Sequence, residues 1–333
     1  MKRAAILCFT QRGQATAEAI ATALQAEYEV STRRLQGGKN SAVESLFQAM
    51  DALVFVGACG IAVRMIAPFL QSKATDPAVV VVDERGVHAV SLLSGHIGGA
   101  NELTRRIASA IGARPVITTA TDVNGRFAAD EWAKQNGLAI SSMQAAKRFS
   151  AEILRRDLPV RSDFPMEGKL RGGLYRGESG PCGLSISCRA GASPADWLTL
   201  IPKKLHLGIG CKRGASMETI HVAVQGLLDT EGIYAQALAR AASIDVKRDE
   251  AGLLAFCEDR DLPISFYSAE ELRAVEGAFS ASAFVEGVVG VDNVCERAAV
   301  HSAGEGARLI VKKTCSGGVT VAVAQEKWSV CLE

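Results

Sequence analysis

The chain has 333 residues, more than one compact core usually holds, so its length predicts two or three domains. Lysine and arginine (37) nearly balance aspartate and glutamate (36), and aromatic residues make up only 5% of the chain. This composition argues against a general attraction to nucleic acid or to a membrane, and against a stacking surface for single-stranded nucleic acid. An anionic ligand would therefore have to meet local basic groups.

The start of the chain is interpreted as the first strand of a cytoplasmic protein. The apolar run Ala4–Thr10 ends at Gln11-Arg12 without a small-residue cleavage site, which is not typical of a signal peptide. The longest strongly apolar stretch, Ala52–Val63, is too short to span a bilayer. The nine cysteines are scattered without a Cys-x-x-Cys pair, which favours reduced, mostly buried thiols, and the sequence indicates no protein metal site.

Strand-like and helix-like patterns alternate through residues 1–140, which predicts an open α/β domain with a mostly parallel sheet covered on both faces. Val87–Leu93 follows Val79–Asp83 across a turn and is interpreted as a hairpin strand on the sheet edge. The predicted strands are Ala4–Thr10, Ala52–Gly57, Val79–Asp83 and Pro115–Thr118, and the predicted helices are Ala15–Glu27, Gly60–Leu70 and Asn101–Ile111.

The glycine-rich segment Ser94–Glu102 follows a predicted strand and opens a helix. Glycines let the backbone approach a ligand, and a helix start presents unpaired N–H groups to an anion. Open α/β sheets bind ligands in the loops beyond the carboxyl ends of their strands, and a histidine there can transfer protons near neutral pH. His96 is therefore a candidate catalytic residue, and a hydrogen bond that caps the loop is an equally open alternative.

A second polar group closes the strand Pro115–Thr118. It contains the hydroxyls of Thr119 and Thr121 and the carboxylate of Asp122. Asp122 is either a cap for the helix that follows, or an acid, a base or the residue that orients His96. The sequence leaves these alternatives open.

Other charged residues near these junctions are weaker candidates. On the helix after His96, Arg105 and Arg106 share the polar face with Glu102, and a solvated face is the favoured interpretation of the two arginines. Near another strand-to-helix junction, Arg64 and Lys73 could pair with carboxylates of a substrate.

The second half of the chain has two parts that differ in composition and pattern. Residues 141–203 are rich in glycine and proline, which predicts a small irregular middle module or linker, and residues 204–333 predict a second, smaller α/β domain. The predicted helices of that domain are Ser216–Leu228, Ile233–Ala242, Asp249–Cys257 and Val294–Ala303, and the predicted strands are Leu205–Cys211, Ile264–Tyr267, Arg308–Lys312 and Val319–Ala324.

Within this second α/β domain, Gly208–Gly214 superficially resembles a dinucleotide fingerprint, but its third glycine falls one residue late. What remains is a glycine-containing segment with Lys212 and Arg213 at a helix start, which suits anionic side chains. Lys247 and Glu250 form another polar cluster, for which a surface ion pair is the favoured interpretation.

Together these segments resemble the CbiG family, the cobalt-precorrin-5A hydrolases of anaerobic cobalamin biosynthesis. The resemblance rests on the order and spacing of Gly60–Leu70, Asp76-Pro77, Val79–Asp83, Leu92–Glu102, Pro115–Val123, Gly208–Gly214, Ala242–Glu250, Phe284-Val285, Val294–Ala299, Lys312-Lys313 and Val319–Ala324.

The resemblance implies an anionic cobalt tetrapyrrole as substrate and water as co-substrate. Such enzymes open a δ-lactone that joins a ring-A acetate to meso carbon 20, and then release that carbon with its methyl group as acetaldehyde, giving cobalt-precorrin-5B. The expected enzyme is thus a hydrolase acting on a carbon–carbon bond. Cobalt would arrive inside the substrate, so no separate cofactor is expected.

Residue roles for this chemistry are hypotheses from residue type and position. His96 is the predicted base, Asp122 its partner or a second base, and Glu102 a further catalytic candidate. The predicted substrate-binding residues are the oxyanion donors Gly98, Gly99 and Asn101, the hydroxyls of Thr119 and Thr121, and the basic residues Arg64, Lys73, Lys212, Arg213 and Lys247.

Two alternative functions remain. The carboxyl-terminal domain resembles CobE, which favours a tetrapyrrole-binding or transfer protein without catalysis as the main alternative. A nucleotide-dependent enzyme is disfavoured, because Gly208–Gly214 fails the dinucleotide fingerprint and the Walker pattern fails too. We expect no nucleic-acid or membrane partner and at most transient contact with neighbouring enzymes of the corrin pathway, while the oligomeric state stays open.

Overall fold

The computed structural model describes residues 1–35, 40–72, 75–96, 98–191, 193–281, 287 and 290–332, with only the backbone of residues 40 and 41. The chain divides into two compact units, Met1–Lys134 and Gln135–Glu333. The predicted first domain, 1–140, extends slightly past the first unit, and the predicted middle module and carboxyl-terminal domain belong to the second. Among the described residues, no helix is both long and apolar enough to cross a membrane.

The first unit is built around one sheet. Its strands are β1 (Lys2–Cys8), β2 (Tyr28–Arg34), β3 (Ala52–Val56), β4 (Ala78–Val82), β5 (His88–Leu93) and β6 (Arg114–Val116), and its helices are α1 (Gln11–Leu24), α2 (Asn40–Ala49), α3 (Cys59–Ile66), α4 (Ala100–Ile111), α5 (Ala120–Val123) and α6 (Ala129–Gln135). The strand order is β2-β1-β3-β4-β5-β6. The predicted open α/β fold is confirmed.

Helices cover both faces of this sheet because its central strands are apolar on both sides. Ile6 and Val54 belong to a buried cluster with α1 and α4, whereas Leu7 and Phe55 belong to a second buried cluster with α2 and α3. Strands β1 to β4 run parallel, as the alternation of strand and helix patterns predicts.

The direction of the sheet reverses at β5. The predicted hairpin is confirmed, since β5 runs antiparallel to β4, but its placement at the edge is wrong because β6 pairs parallel to β5 outside it. In this register Leu93, the last residue of β5, pairs with Val79 near the start of β4. The loops after β5 and β6 therefore leave the sheet at the edge where β1, β3 and β4 begin, which we call the amino edge.

The second unit contains three sheets. Its strands are β7 (Ala139–Ile140), β8 (Leu158–Ser162), β9 (Met166–Glu167), β10 (Leu174–Arg176), β11 (Leu184–Ile186), β12 (Leu198–Ile201), β13 (Leu205–Cys211), β14 (Leu238–Ile244), β15 (Ile264–Tyr267), β16 (Arg308–Ser316), β17 (Val319–Gln325) and β18 (Val330–Cys331), and its helices are α7 (Met143–Ile153), α8 (Met217–Glu231), α9 (Ala251–Asp259), α10 (Ala269–Ala274) and α11 (Cys295–Ala303). The sheet orders are β10-β8-β11-β12-β7, β15-β14-β13-β17-β16 and β18-β9.

The middle module is more regular than its composition indicated. Four short strands, β8 and β10 to β12, form one sheet there together with β7, which lies just before residue 141, and the glycines and prolines lie mostly between them. Strands this short give little periodicity for a sequence pattern to show, which explains why the sheet escaped prediction.

In the carboxyl-terminal domain most predicted elements are confirmed, but the predicted helix Ile233–Ala242 is wrong. Its carboxyl-terminal half belongs to β14, which pairs parallel with β13 and β15. The segment is rich in alanine, which favours a helix, and pairing in the middle of a sheet overrides that local preference.

Candidate active site

The loop between β5 and α4 folds tightly because glycines stand where side chains would collide. A Cβ atom on Gly98 would lie 2.2 Å from the Ser94 Cβ, and one on Gly95 would lie 2.7 Å from Asn101 Oδ1. Gly99 has φ +91°, a conformation that favours glycine, and its N–H donates to the His96 carbonyl oxygen at 2.9 Å. The loop thereby fixes the backbone of His96.

The imidazole of His96 lies between two carboxylates. Its Nε2 is 3.0 Å from Thr121 Oγ1 and 3.3 Å from Asp122 Oδ2, and its Nδ1 is 3.6 Å from Asp130 Oδ1. The side chains of His96, Asp122 and Asp130 are 20%, 16% and 14% exposed, so the group is mostly shielded from water but not fully buried. The predicted partnership of His96 with Asp122 is thus present in the structure.

The two carboxylates favour the protonated ring. The Asp130 carboxylate raises the pKa of His96 above its usual value; burial opposes this, and Asp122 adds to it. Burial alone would raise the pKa of Asp130, but the interaction with His96 outweighs it and leaves this pKa lowered. The charged forms of the pair, the His96 imidazolium and the Asp130 carboxylate, are therefore favoured over the neutral forms.

Asp122 is held by several donors. Thr119 Oγ1 donates to its Oδ2 at 2.5 Å, Asn101 Nδ2 donates to the same oxygen at 3.0 Å, and Arg105 Nη2 donates to Oδ1. A carboxylate that accepts this many hydrogen bonds is fixed in direction.

Asn101 and Gly99 do not fit their predicted role as oxyanion donors. Asn101 is only 1% exposed, and its Nδ2 donates to Thr119 Oγ1 at 2.9 Å as well as to Asp122. Its two amide hydrogens are thus engaged within the protein. The Gly99 N–H is likewise engaged, by the His96 carbonyl oxygen. Of the three predicted oxyanion donors, the Gly98 N–H is the one that remains a candidate.

Arg105 belongs to the site, contrary to its interpretation as part of a solvated face. Its Nη1 donates to Glu131 Oε1 at 3.2 Å, and its Nη2 bonds Asp122. Burial, reinforced by the negative charge of Asp122, raises the pKa of Glu131. The third carboxylate near Arg105, that of Glu102, is 56% exposed and 3.6 Å away. Glu102 therefore lies on the outside of the cluster.

Three of these side chains have the spacing of a metal site. One ligand atom each from His96, Asp122 and Glu131 lies within 4.8 Å of the others. The guanidinium of Arg105 already contacts both carboxylates and supplies the positive charge that a cation would bring. We therefore describe the group as an ion-paired cluster and assign no metal to it.

Helix α6 supplies the functional residues that sequence reasoning missed, namely Asp130, Glu131 and Lys134. Lys134 Nζ donates to the Gly98 carbonyl oxygen at 3.1 Å, and burial lowers the pKa of this lysine. A signal was present in the sequence, because these charged residues accompany the buried Ala129, Trp132 and Ala133 on one short helix.

Of the basic residues predicted near the first site, the one that the structure describes is not brought to it. Arg64 is exposed on α3, which packs on the face of the sheet opposite to α4. Lys73 lies outside the described residues. The predicted hydroxyls of Thr119 and Thr121, in contrast, contact Asp122 and His96 directly.

In the carboxyl-terminal domain Gly208, at the start of the segment Gly208–Gly214, serves packing. A Cβ atom on Gly208, which lies within β13, would meet the Cys295 carbonyl oxygen at 1.8 Å, so this glycine lets α11 cross the strand. Lys212 is exposed, and Arg213 forms an exposed ion pair with Asp249. This is a helix-packing position with basic residues beyond it, and the prediction that they bind anions stays a prediction.

Lys247 and Glu250 form a buried ion pair, so their interpretation as a surface pair is wrong. Their side chains are 14% and 5% exposed, with Nζ 3.0 Å from Oε2. Glu250 also accepts the Gly214 N–H at 2.6 Å. Burial alone would raise the pKa of Glu250, but these two partners outweigh it and lower that pKa.

Two protein families match the chain. The family described as Cobalamin synthesis G N-terminal matches residues 41–122, and the family described as Cobalamin synthesis G C-terminus matches residues 205–324. The first match includes His96 and Asn101 and ends at Asp122, so the acidic residues of α6 lie beyond it.

Curated relatives resemble the chain over most of its length. A protein of Salmonella typhimurium named cobalt-precorrin-5A hydrolase is 34% identical over 319 residues, covering 89% of this chain and 90% of the relative. A protein of Priestia megaterium with the same name is 32% identical over 321 residues, covering 90% of this chain and 84% of the relative. Protein CobE of Sinorhizobium sp. is 33% identical over 121 residues, covering 36% of this chain and 79% of the relative.

Proposed function

The chain belongs to the CbiG family of cobalamin-synthesis proteins, and from this membership we propose that it is a hydrolase that acts on cobalt-precorrin-5A. The support is the similarity along nearly the whole chain to relatives that carry this name. The polar cluster at the amino edge supplies a place for the chemistry.

The proposed reaction has two steps. Water adds its oxygen to the lactone carbonyl carbon, the bond from that carbon to the ring oxygen breaks, and an acetate side chain and a hydroxyl on meso carbon 20 result. The hydroxyl then loses its proton, the bond from carbon 20 to the macrocycle breaks, and its electron pair passes to the macrocycle, which takes up a proton. Carbon 20 leaves with its methyl group as acetaldehyde. Cobalt takes part only as a constituent of the substrate.

The observation that carries the assignment of the site is the position of the His96 ring between Asp122 and Asp130. Each step moves a proton, and a histidine with carboxylate partners is suited to exchange protons near neutral pH. In this proposal His96 exchanges the proton and Asp122 holds the ring. The predicted direction, with His96 as the base, stays a prediction.

The developing negative charge on the lactone oxygen needs donors. The Gly98 N–H is the backbone donor that we propose for it. Lys134 Nζ, which bonds the carbonyl oxygen of the same glycine, brings a positive charge to this part of the loop. Lys73, Lys212 and Arg213 remain proposed partners for the acetate and propionate groups of the substrate. Arg64 is set aside, because α3 packs on the face of the sheet opposite to α4.

Purified protein mixed with cobalt-precorrin-5A tests the proposal. We expect acetaldehyde in a one-to-one ratio with consumed substrate, together with a corrinoid whose mass has changed by the addition of water and the loss of acetaldehyde. Part of the chain resembles CobE, so a tetrapyrrole carrier is the competing function. Substrate that binds tightly, shifts its visible absorbance and is recovered with its mass unchanged would favour the carrier and end the hydrolase proposal.

A further inference from the structure

We propose that Asn101 is a positioning residue that holds Asp122 against the His96 ring, and that Ser91 sets the direction of its side-chain amide. This inference rests on the proposed function for its catalytic consequence. Its structural part concerns how four polar side chains near the amino edge are connected.

The hydrogen bonds among these residues all run in one direction. Ser91 Oγ donates to Asn101 Oδ1 at 2.7 Å, which leaves Nδ2 facing the other way. Nδ2 donates to Thr119 Oγ1 at 2.9 Å and to Asp122 Oδ2 at 3.0 Å. Thr119 Oγ1 donates in turn to the same Asp122 oxygen at 2.5 Å. Each donor in this series of hydrogen bonds therefore points toward the carboxylate that faces His96.

The direction of the amide is decided by its neighbours. With the amide reversed, Asn101 Oδ1 would face Asp122 Oδ2, and two acceptors would meet without a hydrogen. In the observed direction the Ser91 hydroxyl donates to Asn101 Oδ1. Because Asn101 is buried, leaving one of its polar atoms unpaired would be costly. Gly95 leaves the space for this arrangement, since a Cβ atom there would lie 2.7 Å from Asn101 Oδ1.

The network links the elements that carry the reactive groups. Ser91 lies on β5, Asn101 lies in the first turn of α4, and Asp122 lies on α5. Asp122 Oδ2 is the oxygen that is 3.3 Å from His96 Nε2. Losing the Asn101 donor removes one of the two hydrogen bonds that hold this oxygen toward the ring, the other coming from Thr119. A displacement of a catalytic group by about 1 Å can cost on the order of 100-fold in rate.

Asn101→Asp and the pair Ser91→Ala and Ser91→Thr test the proposal. Asn101→Asp keeps the shape but places a second carboxylate against Asp122, and we expect kcat for acetaldehyde release to fall by about 10- to 100-fold with KM changed by less than about twofold. Ser91→Ala should lower kcat by a smaller factor, and Ser91→Thr, which keeps the hydroxyl, should restore it. Asn124→Ala removes an exposed asparagine beside the site and is the matched control.

The NMR titration of the His96 ring gives a second readout that does not depend on turnover. Loosening Asp122 should change this titration in Asn101→Asp and Ser91→Ala but not in Ser91→Thr or Asn124→Ala. If the wild-type protein releases no acetaldehyde, the proposed function is wrong. The His96 titration then decides on its own whether Asn101 and Ser91 hold Asp122 against the ring. Variants at positions 91 and 101 with the kcat and His96 titration of the Asn124→Ala control would overturn the inference, and the Ser91 pair decides it if Asn101→Asp does not fold.

Discussion

His96 illustrates how far single residues could be predicted. Its glycine-rich setting marked it, and Asp122 was named as its partner because both follow strands that end nearby. Asp130 was missed because its approach to His96 Nδ1 depends on where a short helix returns to the sheet. Sequence spacing carries no information on that return, whereas residue type and loop composition do indicate the histidine.

Replacing Asp130 with asparagine should lower the pKa of His96. The Asp130 carboxylate raises that pKa by stabilising the protonated ring, so its loss favours the neutral ring and moves the titration to lower pH. NMR titration of the ring measures the shift. If His96 acts as a base, activity rises with pH, and this rising limb of the pH–rate profile should move to lower pH in the variant. If His96 acts as an acid, activity falls at high pH, and this falling limb should move to lower pH.

Asp83→Asn is the matched control, because Asp83 is 3.6 Å from the ring of a different histidine, the exposed His88. It should leave the His96 titration where it is in the wild type. An unchanged His96 titration in Asp130→Asn would contradict the description of the pair.

Lys247→Met should destabilise the protein more than Arg213→Ala. The lysine is the partner of Glu250, whose side chain is 5% exposed, and its loss leaves a buried carboxylate with only part of its hydrogen bonding. We expect a cost of about 1–3 kcal/mol in the free energy of unfolding at neutral pH. The Arg213–Asp249 pair is exposed, with both side chains 74% accessible, and its loss should cost less than about 1 kcal/mol. Urea denaturation compares them, and equal costs would show that burial of the Lys247 pair does not matter.

At the scale of elements, long periodic segments were predicted well and sheet order was not. The helix Asn101–Ile111 and the hairpin of β4 with β5 were found from pattern alone. The position of β6 outside β5 was missed, because three residues give no periodic signal. The antiparallel pairing of β4 with β5 places the His96 loop at the amino edge, and the pairing of β6 with β5 brings the Asp122 loop to the same edge, away from the glycine junctions after β1 and β3.

Gly98→Ala should disrupt the loop between β5 and α4. The added Cβ atom would lie 2.2 Å from the Ser94 Cβ and 2.5 Å from its carbonyl oxygen, so the backbone must shift. We expect a loss of about 1–3 kcal/mol in the free energy of unfolding, with a larger effect on turnover because the loop carries His96.

Gly60→Ala is the control for this substitution. Gly60 lies in α3 with nothing within 4 Å of its added Cβ, and alanine is the better helix former, so the variant should be as stable as the wild type or more stable by up to about 1 kcal/mol. Thermal unfolding and acetaldehyde release measure both variants. Wild-type behaviour of Gly98→Ala would show that the loop does not need this glycine.

For the whole molecule, composition gave expectations and the resemblance gave the activity. A balanced charge and few aromatics argue against nucleic acid as a partner, which stays a prediction, while the activity entered through a resemblance of segments in both halves of the chain. The middle module was the poorest prediction, because its sheet is held by register between strands distant in sequence, such as β11, which pairs with β8 on one side and with β12 on the other. Local composition does not encode such pairing.

Lys212→Ala tests whether the second unit helps to bind the substrate. Lys212 is exposed beyond the end of β13. Its loss therefore removes a positive charge and leaves no buried carboxylate without its partner. We expect KM to rise about fivefold, equivalent to about 1 kcal/mol of binding, with kcat unchanged. Lys147→Ala, an exposed lysine on α7, should change neither constant. A normal KM in Lys212→Ala would remove this residue from the binding surface.

The most direct test of the account is acetaldehyde release by His96→Ala, measured beside the wild type under single-turnover conditions with substrate-binding and unfolding controls. The account predicts that the variant folds, binds cobalt-precorrin-5A and releases acetaldehyde at least about 100-fold more slowly, because the proton exchange at His96 is lost. A folded variant that releases acetaldehyde at close to the wild-type rate would contradict it and remove the chemistry from the amino edge.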